Sequence, residues 1–176
     1  MPRDADSSGL PQHRARASRA LGCAVITVSD TRTLADDTGG ALVCELVEEA
    51  GHRVASREIV KDDAGAIRGA LERALASPDC AAVVLTGGTG VSPRDITPEA
   101  VAPLLERPLP GFGELFRQLS FAEIGSAAMV SRALGGLANG KPVFALPGSR
   151  AAVRLGLERL ILPELGHLAG EAGKHR

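Results

Sequence analysis

Two aspartates, Asp62 and Asp95, are the strongest candidates for chemistry in this sequence of 176 residues. Each lies just beyond a short apolar run that is typical of a buried strand, so the two carboxylates could face one another across a cleft. Paired carboxylates beside a nucleotide triphosphate commonly hold Mg²⁺ and orient a phosphoryl group. The alternative is structural: Asp62 or Asp63 would cap a helix, and Asp95 would cap a helix or close a turn. Asp63 is the more natural cap, which leaves Asp62 available for function.

The second candidate is a glycine-rich loop that follows an apolar run; its members are Thr86, Gly87, Gly88, Thr89 and Gly90. Glycines adopt positive φ easily and let backbone N–H groups approach a ligand closely. The dinucleotide-binding fingerprint fails because Pro93 stands where its third glycine belongs, and no Gly-Lys-Ser/Thr follows to make a P-loop. Glycines alone would indicate a tight turn. Because Asp95 follows on a stretch braced by Pro93 and Pro98, a ligand-holding loop is favoured.

Two further loops place polar groups at the ends of apolar runs. Pro147, Gly148 and Ser149 connect a predicted strand to a helix N-terminus, whose N–H groups and dipole favour an anion. Ser149 suits a plain N-cap equally well, and the two roles are compatible. Ser29 and Asp30 follow the first predicted strand, where turn formation or capping is the alternative to a role in binding.

The elements that must position these loops alternate between strand and helix. The predicted strands are residues 23–29, 52–60 and 80–86. Between the first two, a helix capped by Thr38 and stopped by Gly51 carries apolar residues at 3.6-residue spacing, and a similar helix follows Asp63. This alternation predicts right-handed crossovers in a parallel α/β sheet, with the candidate loops at its carboxyl edge.

The second half of the sequence is predicted to be less regular. A helix within residues 108–125 is expected to turn Leu115, Leu119 and Phe116 inward. Asn139-Gly140 between two apolar runs predicts a β-hairpin. Pro142 limits its own position to the start of a strand or to a sheet edge, because proline cannot donate to the ladder.

A final helix is expected to begin at Ser149, with a buried stripe of Val153, Leu157, Leu160 and Ile161. No internal repeat or domain boundary is evident. The predicted organisation is a flexible N-terminal arm over 1–20, a single domain over 21–168 and a frayed tail over 169–176.

Composition argues against several classes of protein. The net charge is −1, and the chain has no Trp or Tyr and only four Phe, which speaks against a nucleic-acid partner. No run approaches the ~20 apolar residues of a membrane span, and the N-terminal segment lacks the apolar core of a secretory signal. Cys23, Cys44 and Cys80 are odd in number and widely spaced, which predicts reduced thiols in a cytoplasmic protein.

Three motifs, in this order, match a known family: TGGTGVSPRDITPEA, PGFGELFR and SRALGGLANGKPVFALPGS. They resemble the MoaB/MogA family of molybdenum cofactor biosynthesis, most closely its bacterial MoaB branch, over roughly residues 22 to 165. The resemblance implies a three-layer α/β/α sandwich with a mostly parallel central sheet and a β-hairpin in the C-terminal half. It also implies a molybdopterin-binding domain that assembles as a homotrimer or homohexamer.

The resemblance further implies an activity, the adenylation of molybdopterin by Mg·ATP to give adenylyl-molybdopterin and pyrophosphate. Mg²⁺ would be the cofactor, and other proteins of the cofactor pathway would be possible partners. The family's two acidic positions fall on Asp62 and Asp95. Its nucleotide and pterin cradle matches residues 87–90, its substrate loop matches residues 147–149, and residues 29–30 lie where its first-strand loop enters the pocket.

One departure keeps a second function open. Catalytic members of the plant and animal type often have Pro-Gly-Asn where this chain has Pro147-Gly148-Ser149. The serine form is common in the bacterial MoaB branch, part of which is thought not to catalyse adenylation. The alternatives are therefore a non-catalytic molybdopterin-binding paralogue or scaffold, and a CinA-like hydrolase on the same fold.

Overall fold

The structure is a computed structural model that describes residues 20–173, so most of the predicted arm and residues 174–176 lie outside the described residues. Its strands are β1 (Gly22–Val28), β2 (Arg53–Val60), β3 (Ala82–Thr86), β4 (Arg107–Pro108), β5 (Leu134–Ala138) and β6 (Lys141–Leu146). Its α-helices are α1 (Thr38–Glu49), α2 (Ala64–Ala76), α3 (Thr97–Val101), α4 (Pro110–Ile124), α5 (Arg150–Gly156) and α6 (Leu162–Ala172). Short 3₁₀ segments span Ala102–Leu104 and Gly125–Val130, and a π-helical segment spans Leu157–Ile161.

The strands form one sheet in the order β2-β1-β3-β6-β5-β4. Neighbours from β2 to β6 are parallel, whereas β5 and β4 run antiparallel to their neighbours. Ile26 in β1 lies opposite Glu58 on one side and Leu85 on the other. The predicted parallel sheet is confirmed, and the two-residue edge strand β4 is an addition that no pattern indicated.

Separate apolar cores cover the two faces of the sheet, because successive strand residues point to opposite faces. On one face, Val25 and Val84 pack with α1, α4, α5 and α6. On the other face, Ile26 and Leu85 pack with α2 and α3. The result is the expected three-layer α/β/α sandwich.

The predicted β-hairpin connects β5 to β6. Asn139 and Gly140 have φ of 50° and 66°, as the turn between two twisted strands requires. Pro142 pairs with Leu137 in β5, and the pairing of β6 with β3 begins only at Val143. Pro142 thus sits at the start of its strand, as predicted.

Two local predictions are wrong. The cap of α1 is Asp37 rather than Thr38, and the Asp37 side chain accepts a hydrogen bond from Gly40 N. In α4 the predicted inward residue Leu115 is 51% exposed, whereas Phe116 is buried as predicted and Phe112 is buried as well. The observed cap lies one residue from the predicted one. In α4, packing against distant elements turned Phe112, three residues from Leu115, toward the core.

The last helical region begins as expected with Ser149 as the N-cap of α5. Of the predicted stripe, Val153, Leu157 and Ile161 are buried. The helix then widens into the π-helical segment just before Pro163, which has no N–H to offer the preceding turn. Because α6 extends to Ala172, the first residues of the predicted tail are helical.

Within residues 20–173, none of the helices has both the length and the apolar character that crossing a membrane requires.

Candidate active site

Four loops meet at one edge of the sheet, because β2, β1, β3 and β6 are parallel neighbours and end on the same side. Backbone hydrogen bonds join the loops in pairs. The N–H of Ser29 donates to the carbonyl of Val60 at 2.8 Å. The N–H of Gly87 donates to the carbonyl of Leu146 at 2.9 Å. The structure therefore gathers the predicted site residues into one place.

The glycine-rich loop takes backbone angles that glycine supplies most easily. Gly87 and Gly88 have φ of 100° and 64°. Thr97, which is fully buried at the start of α3, holds both of them. Its hydroxyl donates to the Gly87 carbonyl and its N–H donates to the Gly88 carbonyl, each at 2.9 Å. Thr97 is thus a structural support of the loop that the sequence did not single out.

We expect Gly87→Ala to lower the free energy of unfolding by about 2–4 kcal/mol, because a Cβ there adds steric overlap to backbone strain. Its Cβ would lie 2.3 Å from the Val28 carbonyl oxygen, at a φ of 100°. The matched control is Gly69→Ala in α2, where the Cβ meets only the end of the Arg73 side chain at 3.4 Å. Alanine in a helix is expected to add up to about 1 kcal/mol there. Urea denaturation of both variants checks this, and equal stabilities would contradict it.

Asp62 lies over the glycine loop with an unsatisfied oxygen. A Cβ on Gly88 would come within 2.8 Å of Asp62 Oδ1, which shows how closely the carboxylate approaches the loop. Among the described residues, Oδ1 is buried and accepts no hydrogen bond. A buried carboxylate oxygen without a partner is costly, so this atom points to a ligand or a cation.

Asp95 lies against the same glycine loop as Asp62, since a Cβ on Gly90 would come within 2.7 Å of Asp95 Oδ2. Burial raises the pKa of the Asp62 carboxyl above its ordinary value, the negative charges of Asp30 and Asp95 raise it further, and Arg94 opposes the shift. The Asp30 carboxylate also accepts a hydrogen bond from Asp62 N at 3.2 Å. Carboxylates that repel one another in a half-buried place attract a cation.

The raised pKa predicts that Asp62→Asn stabilises the fold near neutral pH. A proton on Asp62 contributes stability that is fully present below the ordinary value of 3.8 and is lost as the pH rises through the higher folded-state pKa. At pH 7 the charged native carboxyl is therefore unfavourable, and asparagine removes it. Urea denaturation near pH 7 and near pH 3 is expected to show a gain at the first and none at the second. An asparagine variant less stable than the native chain at pH 7 would refute this.

The structural alternatives for Asp62 and Asp95, helix capping and turn formation, have different outcomes. Asp63, and not Asp62, caps α2, with Oδ1 accepting from Ala66 N at 2.8 Å. Asp95 Oδ2 accepts from Ser92 N at 2.9 Å, so this carboxylate closes a turn with one of its oxygens. Any role of Asp95 toward a ligand is thus combined with a structural one.

Ser149 and Ser29 take the structural roles that the sequence allowed. Ser149 Oγ accepts from Ala152 N at 3.2 Å as the cap of α5. Ser29 Oγ accepts from the N–H groups of Thr31 and Arg32 at 3.3 and 3.2 Å. Exposed Gly148 and half-buried Pro147 lie beside the glycine loop, and the Pro147 carbonyl accepts from Thr86 Oγ1 at 3.3 Å.

A cavity of about 210 Å³ opens beside these loops. Thr89, Gly90, Pro147 and Ser149 line its polar side, and its other residues are Phe116, Ser120, Ile124, Ala127, Ala128, Val130, Ser131 and Ala152. The Thr89 hydroxyl is buried and, within residues 20–173, makes no hydrogen bond. The mixed lining suits a ligand that has both apolar and polar parts. A larger cavity of about 590 Å³ lies elsewhere, between α4 and α6, and none of the predicted site residues lines it.

The N-terminus of α1 also borders the site, which sequence reasoning missed. A Cβ on Gly39 would lie 3.0 Å from the Gly148 carbonyl oxygen and 3.8 Å from Thr86 Oγ1. The only local signal is the Gly39-Gly40 pair, since glycine permits such a close approach between elements.

Mg²⁺ is compatible with the residues at this edge. Asp62 and Asp95 supply carboxylate oxygens, the ligand type that Mg²⁺ prefers. In the part of the chain that the structure describes, no group of three or more His, Cys, Asp or Glu side chains is placed to hold a metal ion. A magnesium ion here would therefore take most of its ligands from substrate phosphates and water.

A parallel α/β sheet with a glycine loop and two mutually repelling carboxylates at its carboxyl edge defines a ligand-binding α/β protein with an acidic site. A family model described as "Probable molybdopterin binding domain" (MoCF_biosynth) matches residues 24–167. The chain belongs to this family, and the resemblance to MoaB and MogA proteins is confirmed.

Known proteins resemble the chain over nearly its whole length. Molybdenum cofactor biosynthesis protein B of Bacillus cereus is 50% identical over 163 residues, which are 92% of this chain and 96% of that protein. A crystal structure of molybdenum cofactor biosynthesis protein B superposes with a TM-score of 0.86 at 50% identity, covering 88% of this chain and 96% of the other. The tungsten cofactor synthesizing protein MoaB from Pyrococcus furiosus superposes with a TM-score of 0.79 at 38% identity, covering 88% and 98%.

Proposed function

We propose that this protein acts in molybdenum cofactor biosynthesis, where it binds molybdopterin and transfers the AMP group of Mg·ATP to it with release of pyrophosphate. The observation that carries the proposal is the position of both carboxylates against the glycine loop, where a Cβ on Gly88 would lie 2.8 Å from Asp62 Oδ1 and a Cβ on Gly90 would lie 2.7 Å from Asp95 Oδ2. Among the described residues, the buried Asp62 Oδ1 also lacks a hydrogen bond. Relatives named as molybdenum cofactor biosynthesis protein B support the pathway.

Asp62 and Asp95 are the residues that would hold Mg²⁺. When bound, the ion would neutralise charge on the triphosphate and help pyrophosphate to leave. The repulsion that raises the pKa of Asp62 supports this role, because a divalent cation between the carboxylates relieves it.

The glycine-rich loop would place the phosphates. Positive φ at Gly87 and Gly88 opens the backbone for N–H groups to approach an anion, and Thr97 holds the loop from behind. A terminal phosphate oxygen of molybdopterin would form a bond to the α-phosphorus of ATP, while the bond from that phosphorus to the bridging oxygen of pyrophosphate breaks. Because a phosphate nucleophile is already ionised, placement and charge stabilisation would supply most of the acceleration, and no general base is required.

Release of pyrophosphate from ATP tests the proposal. The native chain is expected to release pyrophosphate only when ATP, Mg²⁺ and molybdopterin are all supplied, and to stop when EDTA removes the metal. Pyrophosphate release that does not depend on molybdopterin would indicate a nucleotide hydrolase instead. Bound molybdopterin without any pyrophosphate release would indicate the second candidate.

That second candidate is a non-catalytic molybdopterin-binding paralogue or scaffold. It is favoured by the hydrogen bonds that already occupy two predicted site groups, Ser149 Oγ in the cap of α5 and Asp95 Oδ2 in its turn. The unsatisfied Asp62 Oδ1 favours the enzyme.

Assembly and location complete the proposal. A homotrimer or homohexamer would cover exposed apolar side chains on and after α4, where Phe121, Ile124 and Met129 are 63%, 58% and 79% exposed. The free thiols of Cys23, Cys44 and Cys80 are compatible with a cytoplasmic location. Other proteins of the cofactor pathway would deliver or receive the pterin.

A further inference from the structure

Arg132 binds both ends of the segment that carries Asp95. It lies half-buried just before β5. Its Nε donates to the Gly90 carbonyl at 2.7 Å, and its Nη2 donates to the Asp95 carbonyl. Its Nη1 pairs with the Glu99 carboxylate, and its backbone N–H donates to the Thr89 carbonyl at 3.0 Å. Two of the three guanidinium nitrogens thus hold the two ends of the Gly90–Asp95 segment, and the third pairs with Glu99 in α3.

Within residues 20–173, few other hydrogen bonds hold the segment from Gly90 to Asp95. Its middle residues, 91–94, are exposed, including Pro93. Its internal hydrogen bonds join Ser92 and Asp95 to each other, so they shape the turn without attaching it to the domain. The place of Asp95 relative to Asp62 therefore depends on how the two ends of the segment are anchored.

The type of side chain matters for this anchoring. A guanidinium is a planar fork that donates in several directions at once, whereas a lysine ammonium is a compact charge on a flexible stem. The hydrogen bond from Arg132 lowers the pKa of Glu99, which keeps Glu99 charged to orient the fork. All three guanidinium nitrogens of Arg132 donate to protein groups, so Arg132 is not placed as a free cation that would bind phosphate.

We propose that Arg132 is a positioning residue of the nucleotidyl transfer: its guanidinium fixes the Gly90–Asp95 segment and so holds the Asp95 carboxylate in its place opposite Asp62. This inference rests on the proposed function, because the position of Asp95 affects the reaction only if Asp62 and Asp95 hold the same cation. A displacement of about 1 Å in a catalytic group can lower a rate about 10²-fold.

The test compares Arg132→Ala and Arg132→Lys with Arg73→Ala, which removes an arginine whose side chain is 64% exposed in α2 and pairs with Glu58. We expect kcat for pyrophosphate release to fall about 10²-fold in Arg132→Ala and about 10-fold in Arg132→Lys. The KM for molybdopterin is expected to change less than about 3-fold, because Arg132 makes no contact that binding would use. Arg73→Ala is expected to behave as the native chain.

A second measurement does not depend on activity. Amide hydrogen exchange at Ser92 and Asp95, whose N–H groups are hydrogen-bonded within the segment, is expected to accelerate at least about 10-fold in both Arg132 variants, with the sheet strands unchanged. Unchanged exchange in this segment would overturn the proposal, as would a raised KM with unchanged kcat, which would make Arg132 a substrate ligand. A loss of rate that only follows a loss of folded protein would also overturn it. If the native chain releases no pyrophosphate, the proposed function fails, and the exchange result still decides whether Arg132 holds the segment.

Discussion

We expect Asp62→Asn and Asp95→Asn each to lower the rate of pyrophosphate release by about 10²–10³-fold while molybdopterin continues to bind. The size follows from weakening the hold on Mg²⁺, the cation that would stabilise the charge developing on the phosphates. Asparagine keeps the shape of each side chain, and at Asp95 it keeps an oxygen for Ser92 N, which donates to Oδ2 at 2.9 Å. The Mg²⁺ concentration for half-maximal activity should rise in both variants, because each removes one anionic oxygen ligand.

The matched control for this result is Asp63→Asn. It makes the same change one residue from Asp62, yet Asp63 caps α2 through Ala66 N. Asparagine caps helices as well as aspartate does, so both activity and stability are expected to stay near those of the native chain. Steady-state rates over a series of Mg²⁺ concentrations, with molybdopterin binding measured separately, make the comparison. Full activity in the Asp62 and Asp95 variants would show that neither carboxylate takes part in the reaction, and Asp95 would keep only its structural role in the turn.

Asp37→Ala has the largest expected effect on stability, a loss of about 3–5 kcal/mol in the free energy of unfolding. Asp37 is 3% exposed and its carboxylate has three partners. It accepts from Thr27 Oγ1 at 2.7 Å, from Gly40 N at 2.9 Å and from Arg57 Nη2 at 3.1 Å. Alanine would remove a helix cap, leave the buried Thr27 hydroxyl without its acceptor and leave the half-buried guanidinium of Arg57 without its carboxylate partner.

Comparison with Asp63→Ala separates the stability that Asp37 contributes as a cap from the stability that its buried contacts contribute. Both aspartates are N-caps, of α1 and α2, but Asp63 is exposed. Its replacement is expected to cost about 1 kcal/mol. Urea denaturation of the two variants at neutral pH checks the difference. Equal losses would show that the contacts with Thr27 and Arg57 contribute little beyond the cap.

The candidate site was predictable to the extent that it depends on the ends of strands. Apolar runs ended by Ser29, Val60, Thr86 and Leu146 marked four strand ends, and any parallel arrangement of such strands brings their ends to one edge. Hence Asp62 and the glycine loop could be placed together without coordinates. That Asp30 and Asp95 raise the pKa of Asp62 could not be foreseen, because it depends on distances between loops that are far apart in sequence.

The sequence by itself determined the features whose causes lie within a few residues. The Asn139-Gly140 turn, the start of α5 at Ser149 and the alternation of strand and helix follow from local backbone preference and apolar periodicity. Tertiary structure alone gave the Asp37 cap its two further partners, because Thr27 and Arg57 lie 10 and 20 residues away in sequence. It alone gave Arg132 its role, since the Gly90 carbonyl that it binds is 42 residues distant. Such contacts form only when separate elements pack together, and no local pattern of residue types specifies which partners will meet.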